Sequence, residues 1–347
     1  MISSLEIKNY RGFEHYKIDS LAPVNLFVGK NNTGKTSILE ALQFYFSKSP
    51  LSSIMEITRK REEALQGWFD TSGTALGDFA DIRHVFFGHR IGSDNNIVII
   101  GGGHNNLIFR ITEEKTTELR PEALSFTIDR DAGIIEKGFL SKDGAVLNEQ
   151  SYRRLVVNPS SDGSLFVSPD GFNTRELMGL CNFVIENAFE DSLVSSLNII
   201  NKDISNVFFL PNGQGGTGRI LIGNQSGQRD PLGSYGDGMR RLLGLAMAFV
   251  NVQNGQLLVD EVDSGLHYSV MPDLWNLIIG TSERLAVQTY LTTHSLDCVR
   301  GLRDALNLAP NMADQVAVHK LDRRLDYAIS FTGSQLINAL NGDVELR

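Results

Sequence analysis

The chain has 347 residues, enough to bury a large core and, by length alone, to form about two domains. Its 41% hydrophobic and 21% charged residues are those of a folded soluble protein, which excludes a disordered or fibrous chain. The formal net charge of −9 excludes a global electrostatic pull on nucleic acid, and no apolar run is long enough to span a bilayer.

The opening Met1-Ile2-Ser3-Ser4-Leu5-Glu6 lacks the basic start and apolar core of a signal peptide. Leu5 and Ile7 alternate with Glu6 and Lys8 as in a half-buried strand, and Asn9-Tyr10-Arg11-Gly12 breaks the pattern as a turn. Val24–Val28 reads as a buried strand, Gly29–Ser37 as a glycine loop and Ile38–Phe46 as a helix. Arg59–Gln66 has a helical pattern and Thr71-Ser72-Gly73-Thr74 that of a loop. From about residue 82 to 150 the chain changes to short strands. Ile97–Ile100 and Leu107–Ile111 form a hairpin around Gly101-Gly102-Gly103, and Leu124–Ile128 and Gly133–Leu140 follow. Residues 172–200 are helical in pattern, with Leu177, Leu180, Cys181, Val184, Ile185 and Ala188 on one face. The strand Val207–Leu210 ends at Pro211, and Gly213–Gly218 reads as a loop. From 232 onward βα alternation returns, with a helix at Leu242–Val250 and strands at Gln256–Val259 and Val287–Leu291. Cys181 and Cys298 sit in apolar contexts without metal-ligand spacing, so buried thiols in a reducing cytoplasm are expected. Of the histidines, His15, His84, His89, His104 and His319 are expected at the surface or in turns. Arg59-Lys60-Arg61, Arg153-Arg154, Arg240-Arg241 and Arg323-Arg324 read as solvated faces and are the available basic patches for a DNA contact.

Gly29-Lys30-Asn31-Asn32-Thr33-Gly34-Lys35-Thr36-Ser37 fits the phosphate-cradling pattern G-x-x-x-x-G-K-S/T without a mismatch. Strand, glycine loop and helix start together make an anion site, because backbone N–H groups converge there and the helix dipole favours negative charge. Lys35 is expected on the β- and γ-phosphates and the Thr36 hydroxyl on Mg²⁺. Downstream, the strand ending in Asp260 and Glu261 supplies the second half of such a site. Asp260 would hold Mg²⁺ and Glu261 would take a proton from the attacking water. Leu232-Gly233-Ser234-Tyr235-Gly236-Asp237-Gly238 leads into a further helix start and reads as a second anion site. Two such sites in one chain suggest a nucleotide shared between two chains. Asp263 follows the acidic pair, and His294 stands at the end of the next strand, within reach of a γ-phosphate.

The order of phosphate loop, glycine-serine segment, Asp-Glu strand, Asp loop and histidine resembles the ABC ATPase head. Leu5–Phe13 and Gly29–Leu42 resemble more narrowly the RecF/SMC-type heads, and Pro231–Arg241 resembles the small ATPases grouped with the OLD proteins of prokaryotic defence. The resemblance implies an α/β fold, an ABC-type P-loop NTPase head with an antiparallel β subdomain and a helical insertion. The expected division is 1–48 for the first strands, phosphate loop and first helix, 49–205 for the insertion, and 206–347 for the other half of the head. It implies ATP and Mg²⁺ as cofactors and roles residue by residue. Asn31, Asn32, Thr33, Gly34, Lys35, Thr36 and Ser37 bind nucleotide, and Arg11 approaches it. Ser234, Gly236, Asp237 and Gly238 act in trans as the signature, where Tyr235 replaces the first signature glycine. Asp263 is the D-loop acid, Thr36 and Asp260 hold the metal, and Glu261, His294 and Lys35 are catalytic. No Q-loop residue stands out; Gln66, Asp78 and Asp81 are weak candidates.

The expected activity is ATP hydrolysis between two protomers, in a homodimer or higher even oligomer, as a switch controlling a separate effector such as a nuclease or Toprim-like protein in anti-phage defence. A head alone is expected, with no coiled coil, no Toprim domain and no membrane partner. A RecF-like DNA-binding repair ATPase and an ATP-stabilised scaffold are the alternatives. The acidic net charge counts against the first, and an intact Glu261 against the second.

Overall fold

A computed structural model describes residues 1–69, 75–92, 95–103, 106–113, 123–141, 144–147, 163–172, 174–210 and 218–341. In chain order, β1 (Leu5–Tyr10), β2 (Phe13–Ile18) and β3 (Val24–Val28) precede α1 (Lys35–Phe46) and α2 (Pro50–Lys60). β4 (Ala64–Phe69), β5 (Ala75–Ala80), β6 (Ile97–Gly101), β7 (Asn106–Glu113), β8 (Ala123–Arg130), β9 (Gly133–Ser141), β10 (Val146–Leu147) and β11 (Ser164–Val167) follow. Then come α3 (Thr174–Glu186), α4 (Glu190–Leu197), β12 (Ile204–Leu210), β13 (Arg219–Asn224), β14 (Arg229–Pro231) and α5 (Gly236–Asn251). The described chain closes with β15 (Gln256–Val259), α6 (Met271–Leu285), β16 (Gln288–Thr293), α7 (Leu296–Leu308), β17 (Val316–Lys320), β18 (Ile329–Thr332) and α8 (Gly333–Asn341).

Two large sheets organise these elements. One is ordered β11-β15-β16-β3-β17-β18, parallel except for the antiparallel edge β18. The other is antiparallel, ordered β10-β9-β8-β7-β6-β1-β2. The strands β3 and β16 are buried at every position, as a sheet covered on both faces requires. Alternate side chains go to two cores. Leu26, Val28, Leu257, Val259 and Leu291 pack with the helices α5 to α7, while Phe27, Leu258 and Tyr290 pack with α1 and the antiparallel sheet. The result is an ABC-type P-loop α/β fold, with α1 held between its two sheets. Each of the large apolar side chains such as Phe27 and Leu258 contributes roughly 1.5–3 kcal/mol by burial.

The sheets cut across the expected boundaries at 49 and 205. β1 and β2 hydrogen-bond into the same sheet as β6–β10, and β11 is a strand of the parallel core sheet beside β15. The helix expected at Arg59–Gln66 instead ends at Lys60. Glu62 takes a left-handed conformation (φ 58°), and the Glu63 N–H closes the helix end on the Thr58 carbonyl before β4 begins. The helical stretch 172–200 is broken in the same way at Ala188 (φ 54°), so Ile185 and Ala188 fall on the exposed side while Leu177, Leu180, Cys181 and Val184 are buried. The helix expected at Leu242 starts six residues earlier, at Gly236. His319 is fully buried, contrary to its expected surface place. It sits on the covered strand β17, where Ser330 and Asn25 satisfy its ring nitrogens. Both cysteines are buried and free, and burial pushes the Cys181 thiol up to about 12. The expected loops at Thr71–Thr74 and Gly213–Thr217, the pair Arg153-Arg154 and His104 lie outside the described residues, as do the side chains of Gln66, Asp78 and Asp237. Among the described residues no helix is long and apolar enough to cross a membrane.

Candidate active site

The parallel order sets the site. β3 ends at the phosphate loop, β15 at Asp260, and β16, between them, at His294, so the three functional segments emerge side by side at the carboxyl edge of the sheet. Gly29 (φ 152°) leaves β3, and a side chain there would strike the Leu321 carbonyl oxygen at 2.8 Å. Gly34 (φ 98°) opens α1 in the left-handed region, and a Cβ on it would meet the Phe13 ring at 2.5 Å. Phe13 of the N-terminal Tyr10-Arg11-Gly12-Phe13 stretch thus packs directly on the phosphate loop. No side chain caps the start of α1 and no acid occupies its first turn, which leaves its N–H groups free to bind an anion.

Lys35 is 9% exposed, and its ammonium donates to the carbonyls of Gly29 (2.8 Å) and Lys30 (2.9 Å). Burial draws it below the usual lysine range, with Asp260 and Glu261 working against the shift. The Thr36 hydroxyl donates to Asp260 Oδ2 at 2.9 Å. A hydroxyl and a carboxylate held together at the mouth of the loop form the hard-oxygen donor set that suits Mg²⁺, so the residues fit the implied metal. Glu261 follows in a left-handed conformation (φ 45°) and its carboxylate stands 3.4 Å from His294 Nδ1. Their side chains remain 40% and 50% exposed, so both are open to solvent.

Two threonines overlooked in the sequence hold this edge together. Thr292 donates its hydroxyl to Asp260 Oδ1 and accepts the Glu261 N–H at 2.8 Å. Thr293, on the other side of β16, donates to Asp263 Oδ1 at 2.6 Å, so Asp263 is fixed to the strand that ends at His294. The signal was a threonine pair between Leu291 and His294 at the end of a strand, where a buried hydroxyl needs a partner. A cleft of about 810 Å³ opens beside the site, lined by Thr36, Asp260, Glu40, Phe183 and the loop after β11 that includes Ser168 and Asp170. That loop, rather than Asp81, lines the cleft together with Thr36 and Asp260. Asp81 is 3% exposed and its carboxylate is occupied by the backbone N–H and guanidinium of Arg83.

Arg11 is turned to another task. Its guanidinium lies 2.6 Å from Glu40 and 2.8 Å from Glu63, and Arg61 meets the other oxygen of Glu40 at 2.6 Å. Burial raises the Glu40 carboxyl above its ordinary range against the pull of both arginines. Ser234 is exposed on the turn before α5, Gly236 (φ 80°) begins that helix and Gly238 lies in its first turn. As at α1, no side chain caps this helix start. Among the described hydrogen bonds and ion pairs, none joins Ser234 or Gly236 to the phosphate loop of the same chain.

Residues 1–153 match a family described as AAA ATPase domain, and residues 148–297 match one described as AAA domain, putative AbiEii toxin, Type IV TA system. A Helicobacter pylori protein described as an ATP/GTP phosphatase is 26% identical over 96% of this chain and 95% of its own length. The DNA replication and repair protein RecF of Clostridium perfringens is also 26% identical, over 45% of this chain and 42% of its own length, so the chain spans less than half of that relative. Among solved structures, an SmcHead bound to the C-winged helix domain of ScpA covers 98% of this chain and 99% of its own at 15% identity, with a TM-score of 0.48.

Proposed function

We propose that this chain, a RecF/SMC-like ATPase head of the AAA/ABC type that hydrolyses ATP, binds ATP-Mg between two protomers and uses hydrolysis as a conformational switch. Lys35 and the N–H groups of the phosphate loop hold the phosphates of one nucleotide. Thr36 and Asp260 would hold Mg²⁺, which would supply positive charge to offset that of the phosphates. Glu261 takes the proton of the attacking water and His294 orients the γ-phosphate edge of the site. Ser234 and the uncapped start of α5 close over the γ-phosphate from the second protomer.

The observation that supports the shared site is the exposure of its parts. Ser234 stands on the surface ahead of an uncapped helix, and the Glu261–His294 pair is left half open by its own chain. A second copy related by two-fold symmetry would cover both at once. The output of the switch is control of a separate effector protein of the nuclease class in defence against phage, a role that rests on family resemblance alone.

The test is the mass in solution of a Glu261→Gln chain, which keeps the nucleotide site and loses the base. With ATP-Mg its mass doubles by light scattering, and without nucleotide it does not. A mass indifferent to ATP overturns the shared site.

A further inference from the structure

Arg241 stands out as a cation that the site chemistry does not use. It lies on α5, two turns after Ser234, and is only 8% exposed. Its Nη1 faces the carbonyl oxygens of Ser168 and Pro169, each at 3.4 Å, and its Nη2 faces the carbonyl oxygen of Glu261 at 3.3 Å. Asp263 and Asp170 are the acids that sustain its charge against burial. Gly171 (φ 74°) leaves room for it, since a Cβ at that position would lie 2.7 Å from Nη1. One guanidinium therefore touches three segments: the helix that begins at the signature, the loop after β11 that borders the cleft, and the backbone of the catalytic base. The Arg240-Arg241 pair read in the sequence as a solvated face is in this half an internal strut.

A planar fork whose two terminal nitrogens face different carbonyls suits this place and a compact ammonium does not. Three carbonyls on two sides of a buried pocket can be met together only by a group that spreads its N–H bonds. Glu261 gains from such support, because a left-handed backbone is uncommon for a non-glycine residue and its carbonyl is one of the three that the guanidinium faces.

We infer that Arg241 is a positioning residue for hydrolysis: it fixes the backbone of Glu261, and with it the direction of the base, to the signature helix and to the loop after β11. Its part in holding Glu261 needs only the hydrolytic site. Its part in transmitting the docking of Ser234 rests on the proposed two-protomer site.

The experiment compares Arg241→Lys and Arg241→Met with the wild-type full chain in steady-state ATP hydrolysis, in equilibrium binding of a fluorescent ATP analogue and in thermal melting. The expected result is that kcat falls by about tenfold or more in both variants while analogue affinity stays within about twofold. Lys retains the charge, so it restores the melting temperature and leaves kcat low. The inference is overturned if Lys restores kcat together with the melting temperature, or if kcat is unchanged in either variant, since a purely structural cation would behave so. If Arg241→Met does not fold, Arg241→Lys alone decides by the same split. Nucleotide-dependent doubling of mass in Glu261→Gln is scored separately, so failure of the shared site and failure of the strut remain distinguishable.

Discussion

Thr36 on the first turn of α1 donates its hydroxyl to Asp260 at the end of β15, 2.9 Å away across 224 positions of sequence. The same carboxylate accepts from Thr292 through its other oxygen. The phosphate loop, the acidic strand and the histidine strand are thus joined at one carboxylate that is 5% exposed. Asp260→Asn keeps the shape but halves the acceptor capacity and removes the charge that Mg²⁺ requires. We expect hydrolysis, measured by phosphate release at saturating ATP-Mg, to drop on the order of a hundredfold or more. Retention of wild-type turnover would show that the metal is held elsewhere.

Gly34 carries two constraints at once, a left-handed backbone and contact with the Phe13 ring. Gly34→Ala is expected to cost about 1–3 kcal/mol in denaturant unfolding. Adding Phe13→Ala removes the clash but not the backbone strain. The double variant should therefore show a smaller penalty for the Gly34 change than the single variant does, in a double-mutant cycle.

His319 supplies a pH dependence whose sign is fixed by its burial. Burial holds its imidazole down to about 3 from an ordinary 6.5. Between these values the unfolded chain binds a proton that the folded chain refuses, so stability falls as pH drops from 6.5 toward 3. His319→Gln should remove this part of the slope, on the order of 1.4 kcal/mol per pH unit in that window, in unfolding measured at pH 7.5 and pH 5. Equal slopes in the two proteins would mean that the imidazole is protonated in the fold.

Glu136, on β9, acts as a cap for a helix in the neighbouring layer. Its carboxylate accepts from the Leu51 N–H and the Ser49 hydroxyl, each at 2.7 Å, where α2 has no cap from its own N-cap residue. Glu136→Ala is expected to lower stability by about 1–2 kcal/mol and to increase hydrogen exchange in the first turn of α2. Unchanged exchange there would remove the cap from the account.

The phosphate loop, the Asp-Glu strand, His294 and the antiparallel strands were legible because each is a local pattern: fixed spacing, or apolar alternation ended by polar residues. What was not legible depends on contacts made over long separations. The pairing of β1 with β6 crosses about ninety residues, so β1 could be read as a strand but not assigned to a sheet. β11 is short, and it follows residues 148–162, which the structure does not describe. Its place beside β15, and hence the site-facing loop at Ser168, came only from topology. Arg11 matched a motif, yet its direction is set by Glu40 and Glu63, which no spacing rule links to it. Arg241 looked like half of a basic pair, because nothing local distinguishes a buried guanidinium from an exposed one.

The central claim is that one chain's phosphate loop works with another chain's Ser234, and complementation tests it most directly. Lys35→Ala and Ser234→Arg chains are each prepared alone, where each should be inactive, then mixed in equal amounts with ATP-Mg. Random pairing makes half of the dimers mixed, each with one intact site of two, so the account predicts recovery of about a quarter of the wild-type hydrolysis rate. A mixture that shows only the summed residual rates of its two parents would contradict it.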